Sequence, residues 1–156
     1  HQRFSTNENV YVFNDAASKF IEKQGAKWFF YPLEMDFETF YSLKNRNGIV
    51  TIYSHPELFY SRMPVLLNRQ NSRFVDAEKS VFVKSVDSGM TVVRPEKAVS
   101  WFKYQSKFEK LGYRKFLIDL SGVEPKPDTW NRLFNAFKNQ EVIEPSNAFN
   151  LRRTLK

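Results

Sequence analysis

The sequence predicts an α/β fold, with parallel strand–helix units first, an antiparallel hairpin region in the middle and a closing helix–strand–helix. Three observations carry this. Short apolar runs alternate with segments of helical apolar spacing over residues 10–53, the pattern of parallel strands joined by crossover helices. Beyond Arg62-Met63-Pro64 the pattern changes to short strands around Asp87-Ser88-Gly89, which marks antiparallel pairing. From Ser100 onward it returns to helix, strand and helix.

Residues 10–13 read as a first short strand, and Asn14-Asp15 caps a helix in which Ala17, Phe20 and Ile21 recur at helical spacing. Gly25 stops that helix. Residues 28–31, Trp-Phe-Phe-Tyr, form a continuous apolar strand of the kind buried on both faces. Asp36 caps the next helix, with Phe37, Phe40 and Tyr41 on its inner face. Asn47-Gly48 punctuates the entry to a strand made of Ile49, Val50, Ile52 and Tyr53, because β-branched residues fit a pleated surface. Residues 74–76, 81–86 and 90–93 read as strands, the last two joined by a three-residue turn at 87–89. A helix opening at Ser100 or a neighbour carries Trp101, Tyr104, Phe108 and Leu111 and closes at Gly112. Residues 116–118 are another buried strand. Pro125 and Pro127 break the chain, Asp128 caps a last helix, and Trp130, Leu133, Phe134 and Phe137 make its buried face. The expected division is 1–61 for the strand–helix units and 62–156 for the hairpin and closing region, packed together as one unit.

The chain has 156 residues, with 24 Lys and Arg against 17 Asp and Glu, a net charge of +7. Aromatic residues reach 17%, including 16 Phe, so most of those rings belong to a core. The absence of cysteine excludes disulfides, thiol nucleophiles and cysteine zinc sites, and it fits the expectation of a cytoplasmic location. No apolar run approaches the roughly 20 residues that span a bilayer, so no membrane partner is expected. The chain begins at His1, and we expect it to be a piece of a longer protein.

The stretch 48–69, GIVTIYSHPELFYSRMPVLLNR, gathers an imidazole, a carboxylate, a phenol and guanidinium groups just past the strand at 49–53. His55-Pro56-Glu57 turns the chain there, because proline fixes its own φ and pushes the preceding residue out of the helical region. Other polar groups stand where strands are expected to end: Asn14 after YVF, Glu34 after FFYPL and Asp119 after FLI. Ligands bind at the carboxyl ends of strands in α/β folds, so such side chains would converge on one mouth. A carboxylate ending a strand as apolar as that before Glu34 is partly desolvated, a setting that suits general acid or base work. Glu34 and Asn14 have a plainer use as helix caps. The candidate catalytic residues are Glu34, His55 and Glu57, and the candidate substrate-binding residues are Asn14, Tyr53, Tyr60, Arg62 and Arg69. Ser61, His55 and Asp76 could be assembled into a triad, but no nucleophile-elbow sequence supports one. His55 and Glu57 lie two apart with no second internal histidine and no HExxH spacing, so no metal site and no cofactor is expected. Arg62, Arg69 and Arg73 form a basic group that suits RNA, with Tyr60 positioned to stack on a base, or that simply makes a solvated surface.

IYSHPELFYSRMPV also resembles the "vYgr-plm" segment of the bacterial collagenase-like proteases, the peptidase family of unknown catalytic type numbered thirty-two. Upstream, YVFNDAASKFIEKQGAKWFFYPLEM is similar to the family's asparagine-ended strand, glycine-closed helix and glutamate-ended strand. Downstream, RFVDAEKSVFVKSVDSGMTVV resembles its "l-DR-g--fpv" hairpin, and 112–119 with 149–153 resemble its closing segments. The resemblance implies the C-terminal part of a collagenase-like peptidase, a hydrolase acting on protein. It also implies that the front units belong to a (β/α) barrel, which when whole takes about 250 residues. Some relatives instead take part in RNA or quinone modification, which keeps open hydroxylation of RNA or a small molecule. A third possibility is a substrate-binding or assembly domain without catalysis. Related members hold an iron–sulfur cluster on cysteines placed between the two central motifs. Here that interval is LLNRQNSRF, without a thiolate to bind iron. The partners implied are the N-terminal barrel portion of the parent protein or a second copy of this chain, with a protein or RNA substrate.

Overall fold

The computed structural model describes residues 4–63, 72–77, 79–123 and 126–152. Among them the order begins with β1 (Phe4–Ser5), α1 (Asp15–Lys23), β2 (Ala26–Trp28), β3 (Phe30–Tyr31), α2 (Phe37–Ser42) and β4 (Ile49–Ser54). It continues with β5 (Phe59–Ser61), β6 (Ser72–Val75), β7 (Val81–Asp87), β8 (Met90–Pro95) and β9 (Ala98–Ser100). It ends with α3 (Gln105–Lys110), β10 (Phe116–Ile118), α4 (Pro127–Asn139) and β11 (Ser146–Asn147). The class is mixed α/β. The described strands form three sheets and no closed barrel: a parallel β1–β2 pair, a sheet ordered β10–β4–β9–β11 with β3 also on β4, and an antiparallel sheet ordered β5–β8–β7–β6. No described helix is long and apolar enough to cross a membrane.

β4 is the hinge of this arrangement. Along one edge it pairs parallel to β10, from Val50 opposite Phe116 to Tyr53 opposite Ile118. Its other edge is shared: β3 pairs parallel at Ile49 and Val50, and β9 pairs antiparallel at Tyr53 and Ser54. Five of the six residues of β4 are buried, as expected of a central strand with both faces covered.

The covering layer is aromatic. Tyr31, Phe40, Phe108 and Tyr113 meet edge to face at centroid separations of 5.0–5.9 Å, and Trp101 stacks on Phe108 at 6.0 Å. Arg46 ties this layer to the backbone: its Nη1 donates to the Phe40 carbonyl and the Tyr113 hydroxyl, its Nε to the Leu111 carbonyl and its Nη2 to the Tyr41 carbonyl. The guanidinium thus satisfies carbonyls at the ends of both α2 and α3, which their helices leave unpaired. Asp15, in the first turn of α1, accepts from the Lys44 and Asn45 amides just ahead of β4, and these bonds hold its carboxyl below its ordinary range.

Several expectations are corrected. Residues 10–13 are not a strand, because a 3₁₀ turn over Glu8–Val10 ends with Tyr11 at φ 51, and Val12 alone of the four is buried. The strand ahead of α1 is β1, parallel to β2. The apolar run 28–31 is split: β2 pairs with β1, and after Phe29 the chain changes sheets to pair with β4. Phe29 and Tyr31 are buried while Trp28 stays exposed, with the Lys27 ammonium 4.3 Å over its ring. Tyr41 points outward, since it lies about 100° around the helix from Phe40, the centre of the buried face. The turn between β7 and β8 has two residues, not three: Asp87 pairs with Met90, leaving Ser88 and Gly89 at φ 49 and 79, the doubly positive geometry of a type I′ turn. Of the two openings expected for the next helix, Ser100 itself ends β9, and it is its neighbour Trp101 that caps a 3₁₀ turn at Phe102–Tyr104 leading into α3. Asp128 is not the cap of α4, whose N-cap is Lys126 with Pro127 in the first turn. On α4, Leu133 and Ala136 are buried, whereas Trp130 and Phe134 stack on each other at 5.6 Å and remain exposed.

At Gly48 the packing leaves no room for a side chain. A Cβ there would come within 3.0 Å of the Tyr31 and Phe29 rings. Gly48→Ala should therefore lower the unfolding free energy by roughly 1–3 kcal/mol through overpacking. A change below about 0.5 kcal/mol in denaturant unfolding, the range of an indifferent surface substitution, would contradict this packing.

Candidate functional site

Because β3, β4 and β10 run parallel, the segments after them emerge at one end of the sheet. They line a cleft of about 300 Å³ with Leu33 and Glu34 after β3, Ser54 to Leu58 at the end of β4, and Asp119, Ser121 and Gly122 after β10. The opposite wall comes from Glu8, Asn9 and Tyr11 of the first turn, from Tyr60 on β5, from Arg94 on β8 and from Phe149.

At the floor, the Asp119 amide donates to the Tyr53 carbonyl at 2.8 Å, continuing the β10–β4 ladder past its last pair and fixing the carboxylate beside β4. Ser54 Oγ donates to Asp119 Oδ2 at 3.0 Å, while the Ser121 amide and hydroxyl donate to Oδ1 at 2.9 and 2.6 Å. Burial alone pushes this carboxyl up, but the Ser121 and Ser54 donors and the nearby His55 hold it below its ordinary value. His55 moves in the same direction for another reason. Burial disfavours its charged form and the Arg94 guanidinium adds to this, outweighing the attraction of Asp119. The pair is therefore a neutral imidazole beside an ionised carboxylate at pH 7. The His55 ring stands edge-on to Tyr53 at 6.0 Å, and a Cβ on Gly122 would lie 2.6 Å from the His55 Cβ, so the backbone at Gly122 sits directly against the imidazole.

The wall adds an ion pair between Arg94 Nη2 and Glu57 Oε1, with Arg94 Nη1 also donating to Ser85 Oγ. Tyr11 donates to Glu34 Oε1 at 3.4 Å, and the Glu34 charge raises the Tyr11 phenol above its ordinary value. The cleft thus brings four carboxylates, Glu8, Glu34, Glu57 and Asp119, against one guanidinium. It is acidic although the chain is basic.

Of the residues singled out from sequence, Glu34, His55, Glu57 and Tyr60 line this cleft together with Asp119. Glu34 does not cap α2, which is capped by Asp36 accepting from the Thr39 amide at 2.8 Å. Asn14 stands apart, because it follows no described strand. Its side chain caps α1 by accepting from the Ala17 amide, next to Asp15 at the amino end of β4. Tyr53 lies beneath the cleft, 6% exposed and stacked on Phe102 at 5.7 Å. Arg62 is exposed just beyond β5, outside the lining, and Arg69 lies outside the described residues. Arg73, on β6, pairs with Glu96, which follows β8, and β5 and β6 are opposite edges of their sheet, so Arg62 and Arg73 are at least three strand spacings apart, roughly 14 Å. Asp76 bonds the Ser80 amide in its own turn, away from His55 and Ser61. Among the described residues no group of three or more His, Asp or Glu is arranged to hold a metal ion. Arg94 and Tyr11 belong to the site although the sequence did not single them out. Arg94 reaches it through the β5–β8 register, and Tyr11 through its left-handed backbone, so neither leaves a local sequence signal.

The two shifts predict an acid-sensitive fold. His55 titrates below its ordinary 6.5, so its contribution to stability is full above pH 6.5 and is lost as pH falls through the folded value. Asp119 titrates below 3.8, so its contribution is lost only in a second, more acidic stage. The thermal midpoint should fall as pH drops below 6.5, and His55→Gln should remove this first stage while keeping the second. A midpoint flat from pH 7 to 5 in the native chain, or an unchanged first stage in the variant, would contradict the assignment. Comparison of the chain with family models, with curated proteins and with solved structures gave no match in any of the three.

Proposed function

We propose that this chain is the substrate-binding C-terminal part of a collagenase-like peptidase, that its parallel units belong to the end of a (β/α) barrel, and that it does not cleave substrate by itself. The convergence of the segments after β3, β4 and β10 on one cleft carries this reading, because that is where α/β folds take their ligands. The hydrogen bonding favours binding over autonomous catalysis. Ser54 and Ser121 both spend their hydroxyl protons on Asp119, whereas a serine nucleophile would have to offer its proton to the imidazole. The charge of the cleft favours a protein substrate over RNA, since four carboxylates repel a phosphate backbone and attract basic side chains. On the same reading the exposed aromatic pair of Trp130 and Phe134 is a surface for the N-terminal barrel portion of the parent or for a second copy.

Amide NMR titration tests this reading. A short lysine-containing peptide should shift the signals of Glu34, His55 and Ser121, and Glu34→Gln should weaken its binding about tenfold, the cost of one charge-assisted hydrogen bond. A single-stranded RNA oligonucleotide should leave those signals unmoved, and gelatin should remain uncut. RNA binding in the cleft, or gelatin cleavage abolished by Glu34→Gln, would overturn the proposal.

A further inference from the structure

Next to the polar cleft lies a second cavity of about 500 Å³, between the antiparallel sheet and the segment around β11. Its character is different. Val81, Phe82, Pro95 and Ala148 supply apolar wall, and its charged lining is balanced, with Lys79 and Lys97 against Asp76 and Glu96. Leu58 and Phe149 line both cavities, so these two residues form the partition between them.

The partition is firmly built. Phe149 holds φ 47, a left-handed conformation that is unfavourable for a bulky residue and persists only where its surroundings enforce it. The enforcement is visible: the Phe149 amide donates to Asn147 Oδ1 at 2.9 Å, Trp101 Nε1 donates to the Ala148 carbonyl at 2.9 Å, and Ser146 and Asn147 pair with β9. On the other side, the Leu58 amide donates to the Val93 carbonyl at 2.9 Å.

We infer that the two cavities are adjacent subsites for one extended peptide, with a basic side chain in the polar cleft and a large apolar side chain in the second cavity. The inference rests on the substrate-binding reading of the polar cleft and adds the second half of the ligand. The polar subsite selects a cation by charge complementarity. The second offers apolar wall and no net charge, which suits a side chain such as phenylalanine or leucine. Because Leu58 and Phe149 line both, the cavities are immediate neighbours on one side of a bound chain. In an extended peptide, residues i and i+2 project on the same side roughly 6.6 Å apart, whereas i and i+1 project on opposite sides.

The probes are acetyl-lysinamide, acetyl-phenylalaninamide, and acetylated, amidated tripeptides containing Lys and Phe either with glycine between them, in both orders, or adjacent. The expected result is that the lysine probe shifts Glu34 and His55, the phenylalanine probe shifts Phe82 and Ala148, and one glycine-spaced tripeptide binds at least about tenfold more tightly than either probe or its adjacent isomer, as linked subsites require. Ser80→Trp, which introduces an indole on the wall of the apolar cavity, should reduce that tripeptide to the affinity of the lysine probe. Shifts confined to the polar cleft, or a spaced tripeptide no tighter than the better probe, would overturn the two-subsite inference and leave the reading of the cleft intact. No shift at either cavity with any probe would overturn both.

Discussion

The structure depends on how the edges of β4 are shared. One edge is given to β10, while the other passes from β3 at its start to β9 at its end. A strand with a single parallel neighbour on each side would end between two parallel partners. Here β9 enters antiparallel beside Tyr53 and Ser54, so the segment leaving β3 is displaced from the end of β4, and Glu34 faces the residues that follow β4 across open space. On the other edge the parallel register carries on through the Asp119 amide, which brings its carboxylate to Ser54 and into the field of His55. Strand pairing thus produces both the opening and the polar pair at its floor.

A chain with a net charge of +7 encloses a cleft in which carboxylates prevail, and both facts matter physically. Net charge biases encounter only out to the screening length of about 8–10 Å, beyond which salt screens it, whereas selection within the cleft depends on the groups lining it. The Glu57–Arg94 pair shows how local this balance is. It removes one carboxylate and the guanidinium from the account, leaving Glu8, Glu34 and Asp119 to face a ligand.

Much of the framework was legible because its causes are local. The β-branched run at 49–53 behind Asn47-Gly48 is β4, Asn14 and Asp36 do cap helices, and Glu34, His55 and Asp119 stand just beyond parallel strands. What escaped was decided by distant partners. Residues 98–100 became a strand because the carboxyl end of β4 had a free edge, although the rings at 101, 104 and 108 pointed to a helix, and those rings are indeed buried. The run 28–31 looked like one strand because its residues are uniformly apolar, a pattern that hides the change of sheets at Phe29. Arg62 and Arg73 are near in sequence, but the order of the antiparallel sheet places them at opposite edges. Trp130 and Phe134 fit the helical period of a buried face, yet on α4 the core is reached by Leu133 and Ala136.

The floor of the cleft depends on the ends of β4 and β10 bringing His55 and Asp119 together. The most direct measurement is an NMR pH titration of the His55 ring in the native chain and in Asp119→Asn. In the native chain its pKa should lie below the ordinary 6.5, and in the variant it should fall further, because the carboxylate that favours the imidazolium is gone while burial and Arg94 remain. A His55 pKa that is unchanged or raised in the variant would contradict the account.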